Sequence, residues 1–121
     1  MTNLSVHLVE AQYLFVPTLT DVFGELNWEV RSIATDLDIE RLLADQPDVV
    51  FIDVDFISDE PLRVVRAARV LAPQSVICVY GSAGHLDLAQ AYLGAGATQV
   101  FDKNADRGEI LEGLRRAAAR R

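Results

Sequence analysis

The fold is indicated most clearly by the stretch Asp48-Val49-Val50-Phe51-Ile52-Asp53-Val54-Asp55. An unbroken apolar run ends there in a carboxylate at Asp53, and a second carboxylate follows at Asp55. A run without polar alternation predicts a strand that is buried on both faces, as in a parallel sheet. Carboxylates at the carboxyl end of such a strand lie where open α/β sheets place their functional sites.

The rest of the chain alternates strand patterns with helix patterns. Four further strands are predicted at Ser5–Glu10, Trp28–Ala34, Ser75–Tyr80 and Thr98–Asp102. Apolar residues at helical spacing predict helices within residues 12–26, after Asp38, from Pro61, from His85 to Leu93, and near the carboxyl terminus. In the helix from His85 to Leu93, the residues expected to be buried are Leu86, Ala89 and Leu93. The residues expected to cap these helices are Asp36 or Asp38, Ser58 or Asp59, and Asn104 or Asp106. Five strands alternating with five helices predict a three-layer α/β/α domain with a five-stranded parallel sheet.

Length and composition limit the classes of function that this chain can have. The chain of 121 residues suits one domain, and its net charge of −7 argues against a nucleic-acid surface. The terminal arginines are interpreted as the solvated face of a helix: Arg115, Arg116, Arg120 and Arg121. Cys78 is the only cysteine, and no apolar run approaches the roughly 18 residues of a membrane span. We therefore expect a soluble, cytoplasmic protein, in which His7 is a packed or edge residue of the first strand.

Charged residues end three of the predicted strands: Glu10, Asp53 with Asp55, and Lys103. Lys103 is the only lysine of the chain. Because the carboxyl ends of central strands share one crevice in a doubly wound sheet, we expect these groups to meet. Carboxylates pressed together require a cation between them, and this cation is either a divalent metal ion with oxygen ligands or the Lys103 ammonium.

These residues and their order resemble the receiver domain of bacterial two-component response regulators over essentially the whole chain. The matching segments are Val9-Glu10, Phe51-Ile52-Asp53, Gly96-Ala97 and Asp102-Lys103. Lys103 follows Asp53 by 50 residues (103 − 53), as in that family. The resemblance implies a flavodoxin-like (βα)5 fold with strand order 2-1-3-4-5. It also implies that residues 1–121 are a receiver-like domain, without an effector domain.

The resemblance assigns a role to each charged group. Asp53 would accept a phosphoryl group from a sensor histidine kinase or a phosphotransfer protein, and Lys103 would pair with that group. Mg²⁺ would be held by Glu10, Asp53 and the backbone carbonyl of Asp55, and Ser82 would supply a hydroxyl. The protein would then be a regulator rather than an enzyme. Its output surface would be the fourth helix, fifth strand and fifth helix, which would contact a downstream protein or form a homodimer through Tyr92, Gln99 and the terminal arginines.

Several positions depart from the family's pattern. The second acid at the end of the first strand is Ala11, which should weaken Mg²⁺ binding. The hydroxyl position that ends the fourth strand aligns with Gly81, so that Ser82 supplies the hydroxyl only if the loop shifts by one residue. Val100 stands three residues before the lysine, where the family has a switch residue with an aromatic side chain. Phe56-Ile57 replaces the Met-Pro that often follows the acceptor. The chain is therefore an atypical receiver, and the alternative is a pseudo-receiver that binds proteins without being phosphorylated.

A third hypothesis is a flavodoxin-like cofactor or enzyme domain. Its best feature is Gly81-Ser82-Ala83-Gly84, which precedes a helix and resembles a phosphate cradle. The loop after the first strand contains no glycine, and no dinucleotide or P-loop fingerprint is present in the sequence. His85, which follows this loop, is either a residue at the rim of the site or, as we expect, an exposed residue at a helix start.

Overall fold

Five parallel strands form one sheet in the order β2-β1-β3-β4-β5. The computed structural model describes residues 3–121. The strands are β1 (Ser5–Val9), β2 (Glu29–Ala34), β3 (Val49–Asp53), β4 (Val76–Gly81) and β5 (Gln99–Asp102). The predicted parallel sheet and its strand order are therefore confirmed.

Helices cover both faces of this sheet. They are α1 (Phe15–Glu25), α2 (Ile39–Asp45), α3 (Pro61–Leu71), α4 (Ala83–Leu86), α5 (Ala89–Ala95) and α6 (Arg107–Ala119). Apolar residues of α1 and α6 pack on one face of the sheet, and those of α2, α3 and α5 pack on the other. The predicted three-layer architecture is thus confirmed. None of the helices in residues 3–121 combines the length and the apolar character that crossing a bilayer requires.

The central strand β3 is buried along its whole length. Val49 and Phe51 point into the core beneath α1 and α6, whereas Val50 and Ile52 point into the core beneath α3. This arrangement explains the continuous apolar run, because a strand covered on both faces needs no polar alternation. In contrast, β2 alternates exposed and half-buried residues, as expected for an edge strand.

The helix caps agree with the sequence in two cases and differ in one. Asp38 and Asp106 each accept a hydrogen bond from the backbone N–H three residues later. The cap of α3 is Glu60, whose carboxylate accepts bonds from two N–H groups of the first turn. The prediction of Ser58 or Asp59 was wrong because the proline is the first residue of the helix, so that the cap is the residue directly before it.

The predicted fourth helix is divided into two segments, so that the predicted fifth helix is α6. A turn at residues 87–88 separates α4, which has four residues, from α5. The break changes the buried face: Tyr92 is 0% exposed, whereas Leu93 is 40% exposed. Burial of Leu93 and exposure of Tyr92 on a partner surface were therefore wrong predictions.

His7 is packed inside the sheet, as predicted. Its ring is 1% exposed, and Nδ1 forms a hydrogen bond with the hydroxyl of Ser32 on the neighbouring strand. Burial lowers the pKa of His7, since the charged imidazolium would lose its hydration.

Candidate functional site

Asp53 lies at the carboxyl end of β3, within the crevice that the sequence predicted. Its side chain is fully buried, and Oδ1 accepts a hydrogen bond of 3.0 Å from the backbone N–H of Asp55. This local bond orients the carboxylate and satisfies one of its oxygens. The other oxygen, Oδ2, lies 2.7 Å from the Nζ atom of Lys103.

Lys103 follows β5 directly and brings a positive charge to the buried carboxylates. Its backbone N–H donates to the carbonyl of Gly81 at 3.0 Å, which joins the ends of β4 and β5. Its ammonium lies 2.7 Å from Asp53 Oδ2 and 2.8 Å from Asp55 Oδ2. Burial opposes the charged form, but the two carboxylates outweigh it and raise the pKa of Lys103. The side chain is therefore an ammonium ion at neutral pH.

Three aromatic rings surround this ammonium. Nζ lies 4.6 Å from the ring centre of Phe15 and 5.4 Å from those of Phe56 and Tyr80. Rings at these distances attract a cation through their negative faces and exclude water from it. The side chain of Lys103 is consequently only 10% exposed, and Asp53 beneath it is shielded from solvent.

Glu10 follows β1 and is 3% exposed. Oε2 accepts a hydrogen bond of 3.0 Å from the N–H of Gln12, whereas Oε1 is buried and has no partner among residues 3–121. Burial and the neighbouring Asp53 carboxyl raise the pKa of Glu10 to about 8. The two acids therefore share a site that holds less negative charge at neutral pH than its residues suggest.

Ser82 contacts Asp55 rather than Asp53. Its N–H and its hydroxyl both donate to Asp55 Oδ1, at 3.1 and 3.0 Å. Together with Lys103, these bonds lower the pKa of Asp55 although burial acts in the opposite direction. Because the carboxylate of Asp55 occupies the amide of Ser82, the glycine-containing loop does not support the phosphate-cradle alternative.

Gly81 ends β4, as the alignment predicted, and the space around it is narrow. A Cβ atom built there would lie 3.0 Å from His85 Cβ and 3.0 Å from Val54 Cγ2. Such distances are shorter than ordinary carbon contacts. A serine or threonine at this position would therefore require its neighbours to move.

His85 belongs to the site, which the sequence analysis considered but did not expect. It is half-buried rather than exposed: Nε2 lies 3.5 Å from Asp55 Oδ1, and Nδ1 lies 2.8 Å from the hydroxyl of Tyr92. The turn between α4 and α5 brings these two side chains together, and helical spacing in the sequence did not indicate that contact. The expectation of an exposed histidine was therefore wrong.

The aromatic residue nearest to the expected switch position belongs to the core. Phe101 is 5% exposed and packs against α6, where a Cβ atom on Gly113 would lie only 2.5 Å from its ring. Val100 faces the opposite core. Neither residue therefore supplies an aromatic side chain that rotates between the interior and the surface.

The acidic groups partly fit the magnesium ion that the resemblance implies. No group of three or more His, Cys, Asp or Glu side chains within residues 3–121 is arranged as a metal site. However, the unpartnered Oε1 of Glu10 lies beside the Asp53 carboxyl, and carboxylate oxygen is the ligand type that Mg²⁺ prefers. Because Mg²⁺ keeps several water ligands and is commonly held by one or two carboxylates, the neighbouring carboxyl groups of Glu10 and Asp53 suit this ion.

Comparisons with known proteins identify the fold. No family model matches the sequence, and no curated protein matches it. Among solved structures, the chain is similar to a LuxR-family two-component response regulator from Aurantimonas sp., with a TM-score of 0.88, 17% identity, and coverage of 99% of this chain and 88% of that one. A response regulator from Thermotoga maritima gives a TM-score of 0.84, 21% identity, and coverage of 98% and 99%.

A third solved structure is a response regulator from Burkholderia pseudomallei with a phosphorylated aspartic acid, a calcium ion and citrate. It gives a TM-score of 0.77 and 20% identity over 98% of this chain and 70% of that one. With the strand order and the pairing of Asp53 with Lys103, these similarities lead to one conclusion. The chain has the fold of a response-regulator receiver domain.

Proposed function

We propose that the protein is a receiver that accepts a phosphoryl group on Asp53. The observation that carries this proposal is the contact of 2.7 Å between Asp53 at the end of β3 and Lys103 after β5, within a receiver fold. The phosphorylated aspartic acid in the Burkholderia pseudomallei response regulator supports it by analogy. The protein acts through changed contacts with other proteins rather than as an enzyme.

The reaction is a phosphoryl transfer to a carboxylate. A carboxylate oxygen of Asp53 forms a bond to phosphorus, while the bond from phosphorus to the donor breaks and the donor retains its electron pair. The donor is a phosphohistidine of a sensor histidine kinase or a phosphotransfer protein, or a small phosphodonor. Lys103 neutralises charge on the transferred oxygens, which is the main catalytic requirement of such a transfer.

The transfer requires Lys103 to move. The Asp53 side chain is fully buried, and its Oδ2 contacts the Lys103 ammonium, around which the rings of Phe15 and Phe56 lie. A donor reaches Asp53 only after the Lys103 side chain has turned aside, and the same side chain can then bind the new phosphoryl group.

Mg²⁺ would be held by the carboxylates of Glu10 and Asp53 and by the backbone carbonyl of Asp55. When bound, this ion would offset negative charge on the phosphoryl oxygens. Ala11 supplies no carboxylate, so we expect weaker binding than at a site with a second acid.

The output surface in this proposal lies around β5 and α6. A groove of about 570 Å³ runs between them, and its acidic lining residues are Asp102, Asp106, Glu109 and Glu112. A downstream protein or a second copy of the chain would bind there. Gln99 also lines this groove, whereas Tyr92 is buried and cannot contribute to it.

Intact mass measured after incubation with Mg²⁺ and a small phosphodonor tests the proposal. We expect the mass of one phosphoryl group on the wild-type protein, and none on Asp53→Ala. Hydroxylamine should remove the group, because it cleaves acyl phosphates. A phosphoryl group that persists in Asp53→Ala, or no uptake by the wild type, would contradict the proposal.

A phosphorylation-independent binding module is the second candidate function. It is favoured by the closed state of the site, in which Lys103 already neutralises Asp53 and Ser82 is bound to Asp55. Mg²⁺ affinity separates the two candidates. Binding that is lost in Glu10→Gln supports the receiver, and a protein that does not bind Mg²⁺ supports the binding module.

A further inference from the structure

We infer that the Asp55 carboxylate couples the charge at Asp53 to the segment of α4 and α5, through Ser82, His85 and Tyr92. It would take the place of the hydroxyl that this chain lacks at the end of β4. The trigger, phosphorylation of Asp53, rests on the proposed function, whereas the coupling itself can be tested without it.

The two oxygens of Asp55 face different parts of the molecule. Oδ2 lies 2.8 Å from the ammonium of Lys103, which also contacts Asp53. Oδ1 accepts both hydrogen bonds from Ser82 and lies 3.5 Å from His85 Nε2. One side chain, only 10% exposed, therefore joins the acidic site to the first turn of α4.

His85 and Tyr92 extend this connection into the core. The Tyr92 hydroxyl lies 2.8 Å from His85 Nδ1, and burial raises the pKa of Tyr92 to about 12. The hydroxyl therefore keeps its proton, and when it donates to Nδ1 the other ring nitrogen, Nε2, carries the N–H that faces Asp55. Tyr92 is completely buried in the core formed with α3, so the network ends in a packed element rather than in solvent.

Charge on Asp53 decides which carboxylate Lys103 binds. A phosphoryl group adds about −1.5 to −2 charges and draws the ammonium away from Asp55. Asp55 then loses its counter-ion on Oδ2 and is repelled by the phosphoryl oxygens. Its hold on Ser82 and His85 weakens, and the α4 segment loosens. The phosphorylated and the unphosphorylated protein would thus differ in structure at α4 and α5.

Hydrogen exchange of the unphosphorylated full chain tests the coupling directly. Lys103→Met should accelerate exchange of the amides in residues 82–86 by about tenfold, the factor expected from a lost charge-assisted hydrogen bond. In an Asp55→Asn background the same substitution should have no such effect. Exchange in α1 serves as the reference for global loosening. Equal acceleration in both backgrounds, or none in either, would overturn the inference.

A second variant guards against failure of Lys103→Met to fold. Asp53→Asn keeps the shape of the side chain and leaves Lys103 bound to Asp55 alone. It should slow exchange of residues 82–86, and only when Asp55 is present. Unchanged exchange, or the same change in Asp55→Asn, would contradict the coupling.

The phosphorylated protein provides the last arm of the test. Wild type and Asp55→Asn that both carry the phosphoryl group should differ, with faster exchange of residues 82–86 in the wild type only. The same acceleration in both proteins would overturn the inference. If the wild type takes up no phosphoryl group, the proposed function fails, while the unphosphorylated variants still decide whether Asp55 couples the two regions.

Discussion

The two sides of the Asp53 site differ in how closely they follow the receiver pattern. On one side, Asp53, Glu10 and Lys103 lie together as the family resemblance implies. On the other side, β4 ends in Gly81, which provides no hydroxyl, and β5 carries Val100, which provides no aromatic ring. Within one fold, the charged residues of the site can therefore be kept while the residues that would respond to a phosphoryl group, at the positions of Gly81 and Val100, are replaced.

Removal of the Lys103 ammonium tests the charged side of the site and should have the largest effect on stability. Lys103→Met leaves Asp53 and Asp55 without their counter-ion, and we expect a loss of roughly 3 kcal/mol in urea unfolding at pH 7. Arg107→Met is the matched control, since its pair with Glu25 is about half exposed and should contribute less than about 1 kcal/mol. Equal losses in the two variants would show that the buried ion pairs of Lys103 stabilise the fold no more than an exposed ion pair does.

A methyl group on Gly113 tests whether Phe101 is a fixed core residue. The added Cβ atom would lie 2.5 Å from the Phe101 ring, and overpacking of this kind costs about 2 kcal/mol. Gly24→Ala is the control, because no described atom beyond its own helical backbone and chain neighbours lies within 4 Å of the added Cβ, and α1 should gain about 0.5 kcal/mol. Thermal unfolding compares them. A neutral Gly113→Ala would mean that Phe101 moves easily, as a switch residue must.

Introducing a hydroxyl at the end of β4 tests the side of the site that carries Gly81 and Val100. Gly81→Ser places a Cβ atom 3.0 Å from both His85 Cβ and Val54 Cγ2, and we expect a loss of roughly 1 kcal/mol. We also expect no faster uptake of the phosphoryl group. A stable Gly81→Ser that is phosphorylated faster would show that the site accommodates the ordinary hydroxyl, and the distinction between the two sides would weaken.

The protonation of His7, which lies outside the site, should affect stability least of the four changes. It serves as a reference for the pH dependence of the free energy of unfolding. Burial lowers its pKa, and the nearby charges of Asp38, Arg41 and Asp45 alter that shift less. The unfolded chain therefore binds the proton first as the pH falls below about 6.5, and the free energy of unfolding decreases down to the folded-state pKa. His7→Asn should show a shallower decrease between pH 7 and pH 5 in urea unfolding. An unchanged slope would assign the acid sensitivity to other groups.

Much of the fold could be predicted because its signals are local. The apolar run before Asp53, the alternation in β2 and the caps at Asp38 and Asp106 each follow from a few adjacent residues. Charges at strand ends also predicted the site, since parallel strands bring their carboxyl ends to one edge.

The remaining features depend on contacts between distant residues. Nothing beside Ser82 in the sequence indicates that its hydroxyl binds Asp55, and the rings around Lys103 come from three separate segments. The break before α5 rotates the buried face by one residue, so that Tyr92 replaced Leu93 in the core. Amphipathic spacing alone could not locate that break.

Phosphoryl uptake by three proteins side by side tests the central claim most directly. Wild type, Asp53→Ala and Asp102→Ala would be incubated with Mg²⁺ and a small phosphodonor, and their intact masses compared. Asp102 is the matched control because it also ends a strand, and among the described residues its carboxylate accepts only a local bond, from the N–H of Asn104. We expect one phosphoryl group on the wild type and on Asp102→Ala, and none on Asp53→Ala. Uptake that is independent of Asp53, or its absence from the wild type, would contradict the account.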